Sequence, residues 1–322
     1  MISTCFTLRL CVEEAKNMKR GPLEGVHFLL TYKCIFECDH CFVWGSPSAS
    51  GTFSIRKIED VLNQASEIPT VKRVYFEGGE PFLFYPVLVK GVEMARKMGF
   101  EVGIVSNAYW ATDRKDAALW LEPLARLGIA DLSMSTDEYH GDKEEAENVR
   151  RAIEAARELG VAVGVMEVEG IEFYSCETPK KEEKGELMFR GRAAKELVGK
   201  AKKKPWKSLS TCPEEPPTLG RVHVDTFGNV MFCQGITIGN LWEKPLKKIM
   251  TDLDQEKHPI IGPLMRGGPV QLAKELGIKP KREYADACHL CYELRCRARE
   301  TGRIKEVLKP DQMYGVSEGR ED

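Results

Sequence analysis

The chain lacks any apolar run of the roughly 20 residues needed to cross a bilayer. Its opening residues, MISTCFTLRLCVEEAKNMKR, have no basic stretch before their short apolar run and no small-residue cleavage pattern after it. These absences predict a cytoplasmic protein with no membrane partner. A charge excess is missing too: 47 Lys and Arg face 49 Asp and Glu, a formal net charge of -2. No global field draws the protein to nucleic acid, so none is expected as a partner. No solenoid-type tandem repeat is found. Cysteine, by contrast, is plentiful. Eleven cysteines, an odd number in a large chain without a secretion signal, argue against a disulfide scaffold and for metal ligation.

With 322 residues and 43% hydrophobic content, the chain can bury a sizeable core. Between about residue 25 and 203, short β-branched runs alternate with amphipathic helical stretches, the pattern of parallel βα units. The expected strands are GVHFLLTY, VKRVYFEG, EVGIVSN, IADLSMS, VAVGVMEV and ELMFRG. Helices are expected in SIRKIEDVLNQASEI, VLVKGVEMARKMG, DRKDAALWLEPLARLG and KEEAENVRRAIEAARELG, from apolar residues at helical spacing. Six such units fit an incomplete barrel or an open parallel sheet, and in both ligands gather at the C-terminal ends of the strands. GKAKKKPWK and CPEEPPTLG then mark a boundary by composition. The expected divisions are residues 1–24, 25–204 and 205–322. In the last, RVHVDTFGNVMFC reads as two strands joined by a turn, followed by a helix in KPLKKIMTDLD and a second cysteine group.

Directly after the first strand, CIFECDHC places Cys34, Cys38 and Cys41 in a C-x3-C-x2-C spacing with no fourth cysteine nearby. Three thiolates on a short loop suit a polynuclear iron-sulfur centre. A structural zinc would want a fourth protein ligand, and His40 inside the motif is poorly placed to supply it. One βα unit later comes EGGEP, Glu77 to Pro81. Its glycines let the backbone approach a ligand closely, and Glu80 can accept from a cationic amine. Cys212, Cys233, Cys288 and Cys291 form a second set, in which a hairpin and a C-x2-C turn converge four sulfurs. Zinc and an iron-sulfur cluster fit this second set equally well. Cys296 is either a substitute ligand or a nearby free thiol. Cys5, Cys11 and Cys176 read as small buried or loop cysteines.

The three-cysteine loop followed by Gly78, Gly79, Glu80 and Pro81 resembles the radical S-adenosylmethionine (SAM) superfamily over residues 25 to about 203. The resemblance implies an α/β fold: a partial (β/α)6 TIM-like barrel with a small C-terminal cysteine-rich α+β extension. It also implies that Cys34, Cys38 and Cys41 hold three irons of a 4Fe-4S cluster, with SAM on the fourth. His40 stands where the family often has an aromatic residue. By the same resemblance, Ser106 and Asn107 in VSNAYW, Ser135 and Asp137 in MSTDEYH, and Arg192 in FRGRAAKE are expected to contact SAM. The alternative for these is loop capping.

The spacing Cys212-x15-Gly228-x4-Cys233, followed by C-x2-C, is similar to the SPASM and twitch extensions of that superfamily. Its cysteine count implies one auxiliary 4Fe-4S cluster. The implied chemistry is one-electron cleavage of SAM to a 5'-deoxyadenosyl radical that takes a hydrogen atom from substrate. An external reductant such as ferredoxin or flavodoxin would supply the electron. The expected net reaction is oxidative modification of a peptide or protein side chain. About 24 residues precede the first strand, too few for a separate peptide-recognition domain, so a small-molecule substrate is the alternative. Tyr109, His140, Glu167 and Cys176 are candidates for acid, base or hydrogen donor. A non-enzyme reading, an electron-transfer or metal-stabilised binding protein, requires both metal sites to be closed.

Overall fold

The computed structural model describes residues 21–135, 143–167, 170–174, 179–183, 187–214, 216 and 220–316. Five parallel strands follow one another across the sheet: β1 (Gly25–Thr31), β2 (Arg73–Gly78), β3 (Glu101–Ser106), β4 (Asp131–Ser135) and β5 (Val163–Glu167). Two antiparallel strands continue the far edge, β6 (Gly170–Tyr174) and β7 (Pro179–Glu183). A separate two-stranded pair joins β8 (Lys204–Pro205) to a distant partner, β12 (Glu283–Tyr284). On the near side of β1 lie β9 (Arg221–Asp225), β10 (Asn229–Cys233) and β11 (Ile236–Asn240), giving a ten-stranded mixed sheet.

The four helices expected between the parallel strands all form. They are α1 (Ile55–Ser66), α2 (Tyr85–Lys97), α3 (Arg114–Arg126) and α4 (Lys143–Glu158). Ser54 and Asp113 cap α1 and α3 by accepting from backbone N–H groups of Lys57 and Lys115. Helix α1 buries Ile58, Val61, Leu62 and Ala65, the i, i+3, i+4, i+7 stripe that faces the sheet. Strand residues alternate in the same sense. Val26, Phe28, Val74, Phe76, Val102, Ile104, Leu132, Met134, Val222 and Val224 pack under the helices, which leaves His27, Tyr75, Glu77, Ser133 and His223 on the opposite, concave face. No helix among the described residues is long and apolar enough to cross a membrane.

The sixth parallel strand is not where the sequence places it. Residues 187–191 of ELMFRG carry no strand. The outer edge of β5 is already taken by antiparallel β6, so no parallel position remains there. β9 fills the sixth place instead, running parallel to β1 along its opposite edge. The segment expected as a strand crosses to the cysteine loop, and leads into a short helix α5 (Ala193–Glu196).

Beyond the sheet, α6 (Leu246–Asp252) returns Leu246 and Ile249 to the main core. The longer helices α7 (Ile261–Leu276) and α8 (Ala287–Glu300) build a second core around Ile260, Ile261, Leu264, Leu272, Tyr284, Leu290 and Leu294. Phe76 links strand to helix in the main core and stacks on Phe28 with centroids 5.0 Å apart. Phe76→Ala should lower stability by about 3–5 kcal/mol in denaturant unfolding. Leu119→Ala, on the exposed face of α3, should change it by no more than about 0.5 kcal/mol.

Candidate cofactor sites and the cleft between them

The loop after β1 is anchored at both ends. The Cys34 N–H donates to Ser46 O (3.0 Å), and the Cys41 N–H donates to Cys38 O (3.1 Å). Cys34 is buried, Cys38 and Cys41 half-buried, and all three are free thiols. The Phe36 N–H and Asn107 Nδ2 approach Cys34 Sγ at 3.4 and 3.5 Å, and the Gly45 N–H approaches Cys41 Sγ at 3.2 Å. Such N–H groups favour thiolate and tune the potential of an iron-sulfur centre. Burial pushes the Cys34 thiol up to about 12, and the neighbouring charges of Glu80 and Cys41 add to the shift. A buried thiolate set of this kind calls for bound cationic metal.

The EGGEP stretch supports this loop from behind. The Gly79 N–H donates to Thr31 O (2.6 Å) and the Glu80 N–H to Lys33 O (2.8 Å). A Cβ on Gly79 would lie 2.2 Å from the Lys33 carbonyl oxygen, so the contact admits no side chain. Pro81 opens a buried 3-10 turn. The Glu80 carboxylate accepts from the Phe82 N–H (2.9 Å), the Ser106 hydroxyl (3.0 Å) and the Asn107 N–H (2.8 Å). Burial pushes its pKa up to about 7 against the pull of those hydrogen bonds. Glu80 thus ties the end of β2 to the end of β3, and Asn107 carries the link on to Cys34.

Arg192 acts on the loop itself. Its guanidinium donates to Cys38 O and Gly45 O, both at 2.8 Å, and lies over the Trp44 ring at 5.3 Å. The Arg192 N–H donates to Cys41 O (2.9 Å). The side chain thus clamps the cysteine loop, beside which a SAM carboxylate was expected. Gly191 makes this strap fit: its φ is +59°, and a Cβ there would meet Phe42 Cα at 2.5 Å.

Of the remaining candidates, Ser135 ends β4 half-buried, and the half-buried Tyr109 donates its N–H to Asn107 Oδ1 (3.1 Å). Glu167 ends β5 opposite Gly170, and its side chain lies outside the described residues. So do Asp137, His140 and Cys176.

Cys212, Cys233, Cys288 and Cys291 line one pocket, together with Arg190 and Arg295. Cys288 and Cys291 lie one turn apart on α8, whose cap Asp286 accepts from the His289 N–H (2.7 Å). Cys296, further along the same helix, does not line the pocket. Arg190 Nη1 lies 3.3 Å from Cys233 Sγ and 2.5 Å from Glu214 Oε1. Arg295 is fully buried and donates to Gln234 O (2.8 Å). Two buried guanidinium groups suit the net negative charge of a cluster held by four thiolates. Four thiolates can hold either a tetrahedral zinc or a polynuclear iron-sulfur cluster.

Between the two cysteine sites runs a cleft of about 790 Å³ on the concave face of the sheet. Phe42, next to Cys41, lines it, and Arg190 and Glu214 line both it and the four-cysteine pocket. On its floor Glu77 lies between His27 and His223. Burial alone would raise Glu77, but its pairing with His27 and His223 outweighs burial and holds the carboxyl well below the usual range. Burial lowers His223, which favours the neutral imidazole. Sequence reasoning singled out none of His27, Tyr75, His223 or Arg190 as functional. The available signal was a polar side chain at the concave-face position of an otherwise apolar strand, as in VHF, VYF and VHV.

Comparison with known proteins agrees with this geometry. The sequence model of the Radical SAM superfamily matches residues 28–168, a superfamily that uses a 4Fe-4S cluster and SAM. YydG of Bacillus subtilis (strain 168), named for peptide biosynthesis, is 25% identical over 128 residues, 40% of each chain. The tungsten-containing aldehyde ferredoxin oxidoreductase cofactor-modifying protein of Pyrococcus furiosus is 30% identical over 116 residues, 36% of this chain and 31% of that protein. These alignments therefore span well under half of each relative's length. The solved structure of anSMEcpe with bound AdoMet shares the fold, with a TM-score of 0.50 at 16% identity, covering 85% of this chain and 95% of that one. By the family model, residues 28–168 make up a radical SAM domain.

Proposed function

We propose that the protein is a radical SAM enzyme that oxidises a peptide or protein side chain in the cleft between two iron-sulfur clusters. The observation that carries this reading is the cleft itself, bounded by Phe42 beside Cys41 at one site and by Arg190 beside Cys233 at the other. A substrate held there lies beside Phe42, the neighbour of Cys41, and beside Arg190 and Glu214, which also line the four-cysteine pocket. When bound, a 4Fe-4S cluster and SAM supply a 5'-deoxyadenosyl radical that removes a hydrogen atom from substrate.

Cys34, Cys38 and Cys41 are the proposed ligands of the first cluster. Gly78, Gly79, Glu80, Pro81, Ser106 and Asn107 shape the strand ends beside it; Ser135, which ends β4, and Asp137, by the sequence resemblance alone, are assigned to the SAM pocket. Cys212, Cys233, Cys288 and Cys291 are the proposed ligands of the auxiliary cluster, which takes up the second electron of the oxidation; Cys296 is left out because it does not line the pocket. The divisions 25–204 for the radical domain and 205–322 for the auxiliary part rest on the composition of the sequence; the second core lies within the latter part, whereas β9, β10 and α6 of that part pack into the main core. An external one-electron donor of the ferredoxin or flavodoxin kind is required. The likeness to YydG supports a peptide substrate. A cleft of about 790 Å³ also has the size of a small-molecule site, which favours modification of a small molecule as the second reading.

Anaerobic reconstitution, then incubation with SAM and dithionite, should yield 5'-deoxyadenosine, and Cys38→Ala should abolish it. Absence of that product from the wild type would sink the enzyme reading. Iron and sulfide counting should give about eight irons per chain, about four in Cys212→Ala and still about eight in Cys296→Ala; zinc in place of the second set of irons would overturn the auxiliary assignment.

Arg192 is a positioning residue. Arg192→Ala leaves the Cys38 and Gly45 carbonyls without their shared donor and should reduce iron from about eight toward about four per chain. Arg192→Lys should not restore it, because an ammonium cannot span both carbonyls as the planar fork does.

A further inference from the structure

His27, Glu77 and His223 stand on three adjacent parallel strands and take no part in either cysteine site. In register, His27 of β1 lies opposite Tyr75 of β2 on one side and His223 of β9 on the other. Glu77, two residues beyond Tyr75, projects from the same face. We propose that these three side chains form a third metal site, mononuclear and free of sulfur, that takes a divalent transition cation such as zinc or ferrous iron on the floor of the cleft.

The spacing is that of ligands around one ion. Glu77 Oε1 is 3.0 Å from His223 Nε2 and 3.5 Å from His27 Nδ1, and one ligand atom from each residue lies within 4.8 Å of the other two. Ligands about 2.0–2.1 Å from a shared zinc are about 3.3–3.4 Å apart at tetrahedral angles and about 2.8–3.0 Å apart at right angles. The 3.0 Å distance matches the right-angle value, and the 3.5 Å distance lies just above the tetrahedral one.

Orientation adds a second, independent observation. Neither Glu77 Oε1 nor His27 Nδ1 has a hydrogen-bond partner, although both are buried atoms. The Glu77 oxygen therefore sits beside two ring nitrogens without an aligned N–H between them, as donor atoms do when their lone pairs converge on a cation. His223 is nine-tenths buried, with 6% side-chain exposure, and leaving such polar atoms unpaired costs free energy that a bound ion would offset.

The surroundings suit an ion as well. Tyr75 stacks on the His27 ring at 4.7 Å and 21°, and its hydroxyl donates to Asp131 Oδ2 (2.8 Å), which fixes the ring plane. Two histidines and one carboxylate are the donor set of catalytic zinc and of mononuclear ferrous sites, and they leave coordination positions open. Here those positions face the cleft, where a water or a substrate carbonyl, carboxylate or hydroxyl oxygen would complete the shell. The N/O donors also separate this site from the thiolate sets, which select softer iron-sulfur chemistry. The proposal stands independently of the radical reading.

The test uses the full chain, anaerobically reconstituted, with iron and sulfide counted and loose metal removed. Titration with zinc against a chromogenic chelator should show one further equivalent per chain. X-ray absorption at the zinc edge should show only nitrogen and oxygen near about 2.0–2.1 Å. Glu77→Gln and His223→Ala should each weaken zinc binding roughly 100-fold or more with iron and sulfide unchanged, whereas Tyr75→Phe, which removes no ligand atom, should weaken it roughly 10-fold or less. No additional zinc in the wild type, a sulfur shell at about 2.3 Å, or undiminished uptake in both ligand variants would overturn the proposal. Should a variant lose its clusters, the wild-type absorption spectrum alone decides.

Discussion

The parallel pairing of β9 with β1 is the contact on which the rest of the arrangement depends. It runs in register from Gly25 opposite Arg221 to Leu29 opposite Asp225, and it brings a segment nearly 200 residues downstream against the strand that launches the cysteine loop. β10 follows antiparallel to β9 and ends at Cys233. One pairing therefore sets the distance between the three-cysteine loop and the four-cysteine pocket. It also encloses the cleft, because the concave faces of β9, β1 and β2 form its floor.

Around this frame the polar interior is held by arginines and carboxylates that each join two elements. Glu80 couples the ends of β2 and β3, Arg192 couples the strap after β7 to the cysteine loop, and Arg190 couples the same strap to Glu214 and Cys233. Asp286 caps α8 and also accepts from the Phe189 N–H (3.0 Å), so the strap reaches the helix that carries Cys288 and Cys291. Buried polar groups with every partner in place specify a single arrangement. Rigid cysteine loops are what an iron-sulfur centre needs from its protein.

Five of the six parallel strands and all four intervening helices were legible in the sequence, because local periodicity and caps such as Ser54 and Asp113 specify them. The three-cysteine loop and GGEP were legible for the same reason, being short motifs at strand ends. ELMFRG misled because an apolar run states a preference for burial and says nothing about which sheet edge is free. Here the edge of β5 belongs to β6, and the run is pulled across the cysteine loop by Gly191 and its flanking arginines. The residue type of Arg192 did not disclose the two backbone carbonyls it bridges.

By itself the sequence determined the identity and spacing of the candidate thiol ligands, the parallel α/β class and the polar-apolar alternation of each strand, since all of these depend on residues close together in the chain. Tertiary structure alone decided that Cys296 stays outside the pocket of the other four later cysteines, how Arg190 and Arg192 are spent, and that His27, Glu77 and His223 meet. Those groupings rest on strand register and on packing between segments up to about 200 residues apart, and a one-residue slip of β9 would turn His223 to the other face of the sheet.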